Sequence, residues 1–121
     1  MLKMIALLKK RAGMSRADFR AHYEGNHAPL ILSQQGPNML EYRRNYLTGD
    51  MINGVQDMPF DVISEFVYAD RAAFDRAFAR MMTPEAVRER EEDEARLFDI
   101  PTIRVFMVET CESDCAGVLD D

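Results

Sequence analysis

This sequence predicts an α+β fold built on one antiparallel sheet, and three observations predict it. Segments of strand and helix character follow one another as strand, helix, strand, strand, helix, strand. The strands carry apolar residues on both sides. The 121 residues, 47% hydrophobic and 30% charged, have the ordinary composition of one globular domain, which excludes a disordered, collagenous or coiled-coil chain.

Lys3 to Lys9 is a short apolar run closed by Arg11-Ala12-Gly13, and its length favours a strand. Ser15 with Asp18 three residues on reads as a capping box, with Met14 and Phe19 at the staple positions around it, so a helix begins here. On that helix Phe19, His22, Tyr23 and Asn26 share a face, and Arg16, Arg20 and Glu24 lie away from it. Gly25-Asn26 supplies a left-handed stop, and Pro29 suits the first turn of a second short helix ending near Gln34, which sets His27 at a helix break.

After the cluster Ser33 to Asn38, Leu40 to Thr48 alternates as a second strand. Gly49 to Pro59 is a long connection that reads either as a cover or as a plain surface loop. Phe60 to Tyr68 is a third strand, and Asp70 caps a helix with Phe74, Ala77, Phe78 and Met81 in one stripe. Thr83-Pro84 restarts the helix, which runs to about Phe98 with a solvated charged face and pairs such as Arg88 to Glu92 and Glu92 to Arg96. Thr102 to Glu109 is the fourth strand. The expected domain is 1–110, followed by an acidic tail, 111–121.

This order is the split βαβ plan, a four-stranded antiparallel sheet with helices on one face. Its other face is apolar too: Ile5 and Leu7 alternate with Met4, Ala6 and Leu8, and Phe106 and Val108 with Ile103, Val105 and Met107. Leaving a few hundred Å² of such surface wet forgoes several kcal/mol at about 25 cal/mol per Å², so the expectation is a homodimer in which the helix-free faces meet.

A net charge of −6 repels phosphate backbones and anionic lipid, so nucleic acid is not an expected partner. The run Met4 to Leu8 is too short to span a membrane and precedes Lys9-Lys10-Arg11, the wrong order for a secretory signal. A soluble, cytoplasmic chain with no membrane partner is expected. Cys111 and Cys115, both near the end, read as unremarkable thiols rather than a disulfide framework or a zinc site.

The candidate chemistry sits at the two histidines. His22 lies beside Phe19 and Tyr23 on the buried face, either as a core histidine bonded to a carbonyl or carboxylate or as part of a site. His27 reads as a helix-break residue bonding local backbone, or as a residue in a pocket. On a continuous α-helix the pair would point about 140° apart, so a break is needed to unite them, with Glu65 as a conceivable third metal ligand. No metal is expected. Glu65 amid Ile63 and Val67, with Arg43 and Asn45 on a strand-two face, forms either an ion pair or the wall of a wet cavity. Tyr42 and Tyr46 on the alternate face direct phenols toward the helices, for packing or for a ligand.

Met14-Ser15-Arg16-Ala17-Asp18-Phe19-Arg20-Ala21-His22-Tyr23, then Asn26-His27-Ala28-Pro29-Leu30, resembles the signature of the EthD family, and Tyr42 to Tyr46 and Asp61 to Phe66 fit as well. The resemblance spans roughly residues 2 to 109. It implies a ferredoxin-like βαββαβ subunit of the dimeric α+β barrel superfamily. Similar barrels include a muconolactone methylisomerase, polyketide cyclases, cofactor-free quinone-forming monooxygenases and haem-binding enzymes, so fold alone does not choose a reaction.

Two functions are therefore weighed. One is a small cofactor-independent enzyme acting on an aromatic or lactone-like hydrophobic metabolite, with isomerase, cyclase or oxidoreductase chemistry, in a pocket between sheet and helices. His27 would carry the proton, His22 and Tyr23 orient, and Tyr46, Glu65, Asn45 and Arg43 bind substrate. The other is a non-catalytic dimer that binds a small molecule or serves an oxygenase as an accessory. Haem binding rests on superfamily analogy alone.

Overall fold

A computed structural model describes residues 1–118, so the end of the expected tail, 119–121, lies outside the described residues. Four strands, β1 (Leu2–Leu8), β2 (Met39–Tyr46), β3 (Val62–Tyr68) and β4 (Arg104–Val108), form one sheet in the order β2-β3-β1-β4. Every neighbouring pair is antiparallel. Helices α1 (Arg16–His22), α2 (Ala28–Gln35), α3 (Arg71–Met81) and α4 (Pro84–Leu97) complete the chain. This is the α+β, ferredoxin-like arrangement expected from the order of elements.

Side-chain oxygens placed by the sequence start three of the helices. Ser15 Oγ accepts from the Asp18 N–H at 3.0 Å, Asp70 Oδ1 from the Ala73 N–H at 2.8 Å, and Thr83 Oγ1 from the Ala86 N–H at 3.3 Å. The expected break at Gly25 does not occur. The backbone passes from α1 through a π-helical turn, Tyr23–His27, directly into α2, with the Ala28 N–H reaching back to the Tyr23 carbonyl. The left-handed stop comes instead at Gly36, where φ is +67° and a side-chain carbon would meet the Arg80 guanidinium at 3.0 Å.

Other differences are local. Strand four begins later than expected because Ile100–Thr102 form a 3₁₀ turn, closed by the Thr102 N–H on the Asp99 carbonyl at 3.0 Å. On α4 the pair that forms is Arg90–Glu94 at 3.7 Å rather than Arg88–Glu92 or Glu92–Arg96. Of the α3 stripe, Ala77 is buried while Phe78 stays half exposed, stacked on Phe74. Cys115–Val118 form a 3₁₀ turn, and both cysteines are free and exposed.

Register and alternation divide the sheet into two faces. Met4, Ala6, Leu8, Tyr42, Tyr46, Val62, Ser64, Phe66 and Tyr68 face the helices, and the core lies there with Phe19, Tyr23, Leu97 and Phe98. The opposite face carries Ile5, Leu7, Ile63, Val67, Phe106 and Val108 beside the polar Lys3, Glu41, Arg43, Asn45 and Glu65. Among the described residues, no helix is long and apolar enough to cross a membrane.

Leu97 is fully buried at the end of α4. Leu97→Ala is expected to destabilise the fold by about 2–5 kcal/mol in urea titration, through lost transfer energy and an unfilled cavity.

Candidate functional site

The π-helical turn determines where the two imidazoles point. A π turn closes i→i+5, so residues five apart stack as those four apart do in an α-helix. His22 and His27, which a plain α-helix would splay, therefore converge on one carboxylate. His22 Nε2 donates to Asp93 Oδ1 at 2.7 Å and His27 Nδ1 donates to Asp93 Oδ2 at 2.8 Å. Asp93 comes from α4, so this one side chain fastens the last helix to the first.

A carboxylate only accepts hydrogen bonds, which assigns a proton to each ring nitrogen facing it. Asn26 Nδ2 lies 3.4 Å from His22 Nδ1, matching a lone pair there. In neutral His27 the proton on Nδ1 leaves Nε2 with the lone pair of a base. Burial holds the His27 pKa below its usual value near 6.5, against the opposing pull of Asp93. The ring is 4% exposed and stands edge-on to Tyr23 (4.9 Å between centroids) and Phe98 (5.1 Å).

A second network begins at Tyr23. Its hydroxyl lies 2.8 Å from the Tyr42 hydroxyl and 2.7 Å from Ser64 Oγ, joining π turn, β2 and β3 in the core. Burial raises the pKa of both phenols, keeping them protonated donors. At the rim, Tyr46 donates to Glu24 Oε2 at 2.6 Å, and Arg44 grips the same carboxylate through Nε at 3.0 Å and Nη2 at 2.6 Å. The guanidinium holds the Glu24 pKa down at about 2, and burial with the Glu24 contact pushes Tyr46 up.

The remaining candidates lie elsewhere. Glu65 sits on the helix-free face, where Asn45 Nδ2 donates to its Oε2 at 3.0 Å and Lys3 Nζ pairs with Oε1 at 3.5 Å. The Asn45 hydrogen bond, with Lys3 beside it, lowers the Glu65 pKa. Arg43 pairs with Glu41 at 3.3 Å. The seven residues expected in one pocket thus form two groups separated by the sheet: His22, His27, Tyr23 and Tyr46 on the helix side, Arg43, Asn45 and Glu65 behind. Glu65 cannot complete a metal site with the histidines, and among the described residues no group of three or more His, Cys, Asp and Glu is arranged to hold a metal.

The expected pocket around His27 is filled. Phe19, Tyr23 and Phe98 pack edge to face at 5.9–6.2 Å and occupy the space between helices and sheet. Four surface hollows of about 270 to 890 Å³ lie elsewhere, and none of these four is lined by His22, His27 or Asp93.

Asp93 was missed by the sequence reading because it stands in the acidic stretch Glu91 to Glu94. A signal was present: Ala86, Arg90, Asp93 and Leu97 follow i, i+4, i+7, i+11, so two charges share the buried side of α4 with Ala86 and Leu97. Arg90 is held there by the Gln34 side-chain oxygen at 2.8 Å and the Met81 carbonyl at 2.9 Å.

Comparison with known proteins places this geometry in context. The family model of the EthD domain matches residues 11–101. No curated protein matches the chain significantly. Among solved structures, an EthD family protein from Bacillus halodurans is 22% identical, with 92% of this chain and 99% of that one covered at a TM-score of 0.64. SnoaB from Streptomyces nogalater, a cofactor-independent oxygenase, is 12% identical, with 93% and 94% covered and a TM-score of 0.58. A dimeric ferredoxin-like protein from Jannaschia sp. CCS1 is 18% identical, with 90% and 98% covered and a TM-score of 0.56. These likenesses establish the fold.

Asp93→Asn offers one oxygen acceptor where two N–H groups need one each, so a loss of about 1–3 kcal/mol is expected in urea unfolding near neutral pH. The sign of the pH dependence follows from His27. Its folded pKa lies below 6.5, so the unfolded chain takes up the proton first and stability falls as pH drops below that value. Without the carboxylate the folded pKa falls further, and the acid loss is expected to extend to lower pH in the variant than in the wild type.

Proposed function

This chain belongs to the EthD family, and from that premise we propose that it is a small enzyme acting on an aromatic or lactone-like hydrophobic metabolite by acid/base catalysis from its own side chains. The observation that carries the reading is the part-buried hydrogen bond from His27 Nδ1 to Asp93. It fixes the tautomer and leaves Nε2 as the base. When Nε2 takes a proton from an acidic C–H or O–H of the ligand, the resulting imidazolium is stabilised by the carboxylate already touching it. The same nitrogen returns the proton, which balances an isomerisation or cyclisation.

His22 acts as a positioning residue in this scheme, since its hydrogen bond to Oδ1 orients the carboxylate rather than touching the ligand. Tyr23 contributes a protonated hydroxyl tied to Tyr42 and Ser64. SnoaB, described as a cofactor-independent oxygenase on the same fold, lends support to chemistry run by side chains.

A second reading, a non-catalytic dimer that binds a small molecule or assists an oxygenase, is favoured by the aromatic packing around His27. The assembly we propose under either reading is a homodimer through the helix-free face. Half-buried Ile5 and Leu7 lie there beside the 43% exposed Phe106, and the Jannaschia relative is described as dimeric.

With the cognate substrate, His27→Ala is expected to lower turnover at least about a hundredfold while the protein stays folded. Unchanged turnover, or a ligand recovered unaltered after long incubation with the wild type, would leave the binding reading standing. The double substitution Ile5→Glu with Phe106→Glu is expected to halve the mass measured by size-exclusion chromatography with light scattering, because it buries unpaired carboxylates in the proposed interface.

A further inference from the structure

We propose that the rim between α1 and the end of β2 is a binding site for a flat hydrophobic anion, its carboxylate held by Arg16 and Arg20. A hollow of about 270 Å³ opens there over Phe19, Tyr46 and Leu47, with Arg16, Arg20 and Asp61 on its walls. That volume suits a ligand of one or two fused rings, and the lining pairs an apolar floor with charged walls.

Arg20 lies with its guanidinium carbon 4.8 Å over the Tyr46 ring and has no carboxylate partner among the described residues. A second hollow of about 380 Å³ shares Arg20 and Tyr46 with the first, so this stacked pair forms part of the wall of both. Arg16 makes one hydrogen bond, from Nη2 to the Leu47 carbonyl at 2.6 Å, which leaves most of its donors free.

The two acids nearby are already engaged. Glu24 is held by Arg44 and Tyr46, and Asp61 Oδ2 accepts the Lys10 backbone N–H at 2.8 Å. Glu24 also feels the Arg20 charge, and Asp61 lines the hollow itself, so there the two arginines face one carboxylate. Arg16 is also held in place: at Gly49, where φ is +93°, the loop backbone comes so close that a side-chain carbon would stand 3.0 Å from Nη1. In a chain of net charge −6, two arginines with no ion pair among the described residues, facing a hollow with a single carboxylate on its wall, form a local field opposite in sign to the whole.

Guanidinium–carboxylate geometry is the recognition chemistry, with the Tyr46 ring as the stacking surface once Arg20 turns toward the ligand. His27 lines neither hollow, so the site does not depend on whether that residue is catalytic.

The test uses 2-naphthoate as probe, titrated calorimetrically into the full-length wild type at low salt, with 2-naphthalenemethanol as its neutral counterpart. The acid is expected to bind at least about tenfold tighter than the alcohol, and Arg16→Ala or Arg20→Ala to erase most of that difference. In the unmodified protein the Arg16 and Arg20 Nε–H resonances are expected to shift on addition of the acid, a readout that survives if a variant misfolds. His27→Ala is expected to leave binding unchanged even if it abolishes turnover. Equal affinity for acid and alcohol, arginine variants that bind as the wild type does, or a loss at His27→Ala equal to that at Arg20→Ala would overturn the assignment.

Discussion

The carboxylate of Asp93 is the constraint from which the rest of the helical layer follows. Burying an ionised acid costs several kcal/mol unless its oxygens are satisfied, and here each oxygen accepts one imidazole N–H. The two donors come from one continuous helical segment, five residues apart, and can meet one acceptor only if the turn between them is widened. The π turn Tyr23–His27 supplies that widening. Tyr23, four residues after Phe19 on the same face, points into the core, where its hydroxyl meets Tyr42 and Ser64. Asp93 thus ties α4 to the α1–α2 segment, and Tyr23 separately joins that segment to two strands of the sheet.

The architecture was legible because it is written in local patterns. The Ser15, Asp70 and Thr83 caps, the two-sided apolar strands and the turn clusters each act over a few residues, and together they specify the element order. The site was legible only in part. Tyr42 and Tyr46 could be aimed at the helices by strand alternation, and His22 could be foreseen with a carboxylate partner. The identity of that partner depended on α4 crossing the first helix, a contact between residues 71 positions apart. The stop expected at Gly25 failed for a related reason: glycine permits a left-handed turn without requiring one, and the pull of Asp93 on both histidines favours a continuous helix.

The sheet separates two kinds of polar chemistry that strand proximity had grouped together. Arg43 and Arg44 are adjacent in sequence, yet one pairs with Glu41 behind the sheet and the other with Glu24 in front. The rear group, Lys3, Asn45 and Glu65, is closed within itself and borders Ile5 and Ile63 in the register of the strands. Such a self-satisfied polar cluster can be covered by another surface at little electrostatic cost, since its charges bring their partners with them. The front group differs: Glu24 is satisfied, while Arg20, stacked on Tyr46, has no ion-pair partner among the described residues.

The aromatic packing around His27 bears on what kind of ligand its proposed role allows. Phe19, Tyr23, Phe98 and the imidazole contact one another edge to face, a geometry in which each ring offers its positive edge to a neighbour's negative face. A polar ligand could not take the place of one of these rings without losing its own hydration. A flat aromatic one could, because the contacts it would make are those the ring gave up. Water would be excluded from Nε2 in the same step, which strengthens the attraction between a forming imidazolium and Asp93 as the proton moves. Under the proposed role, the packing around His27 would therefore favour an aromatic ligand over a polar one.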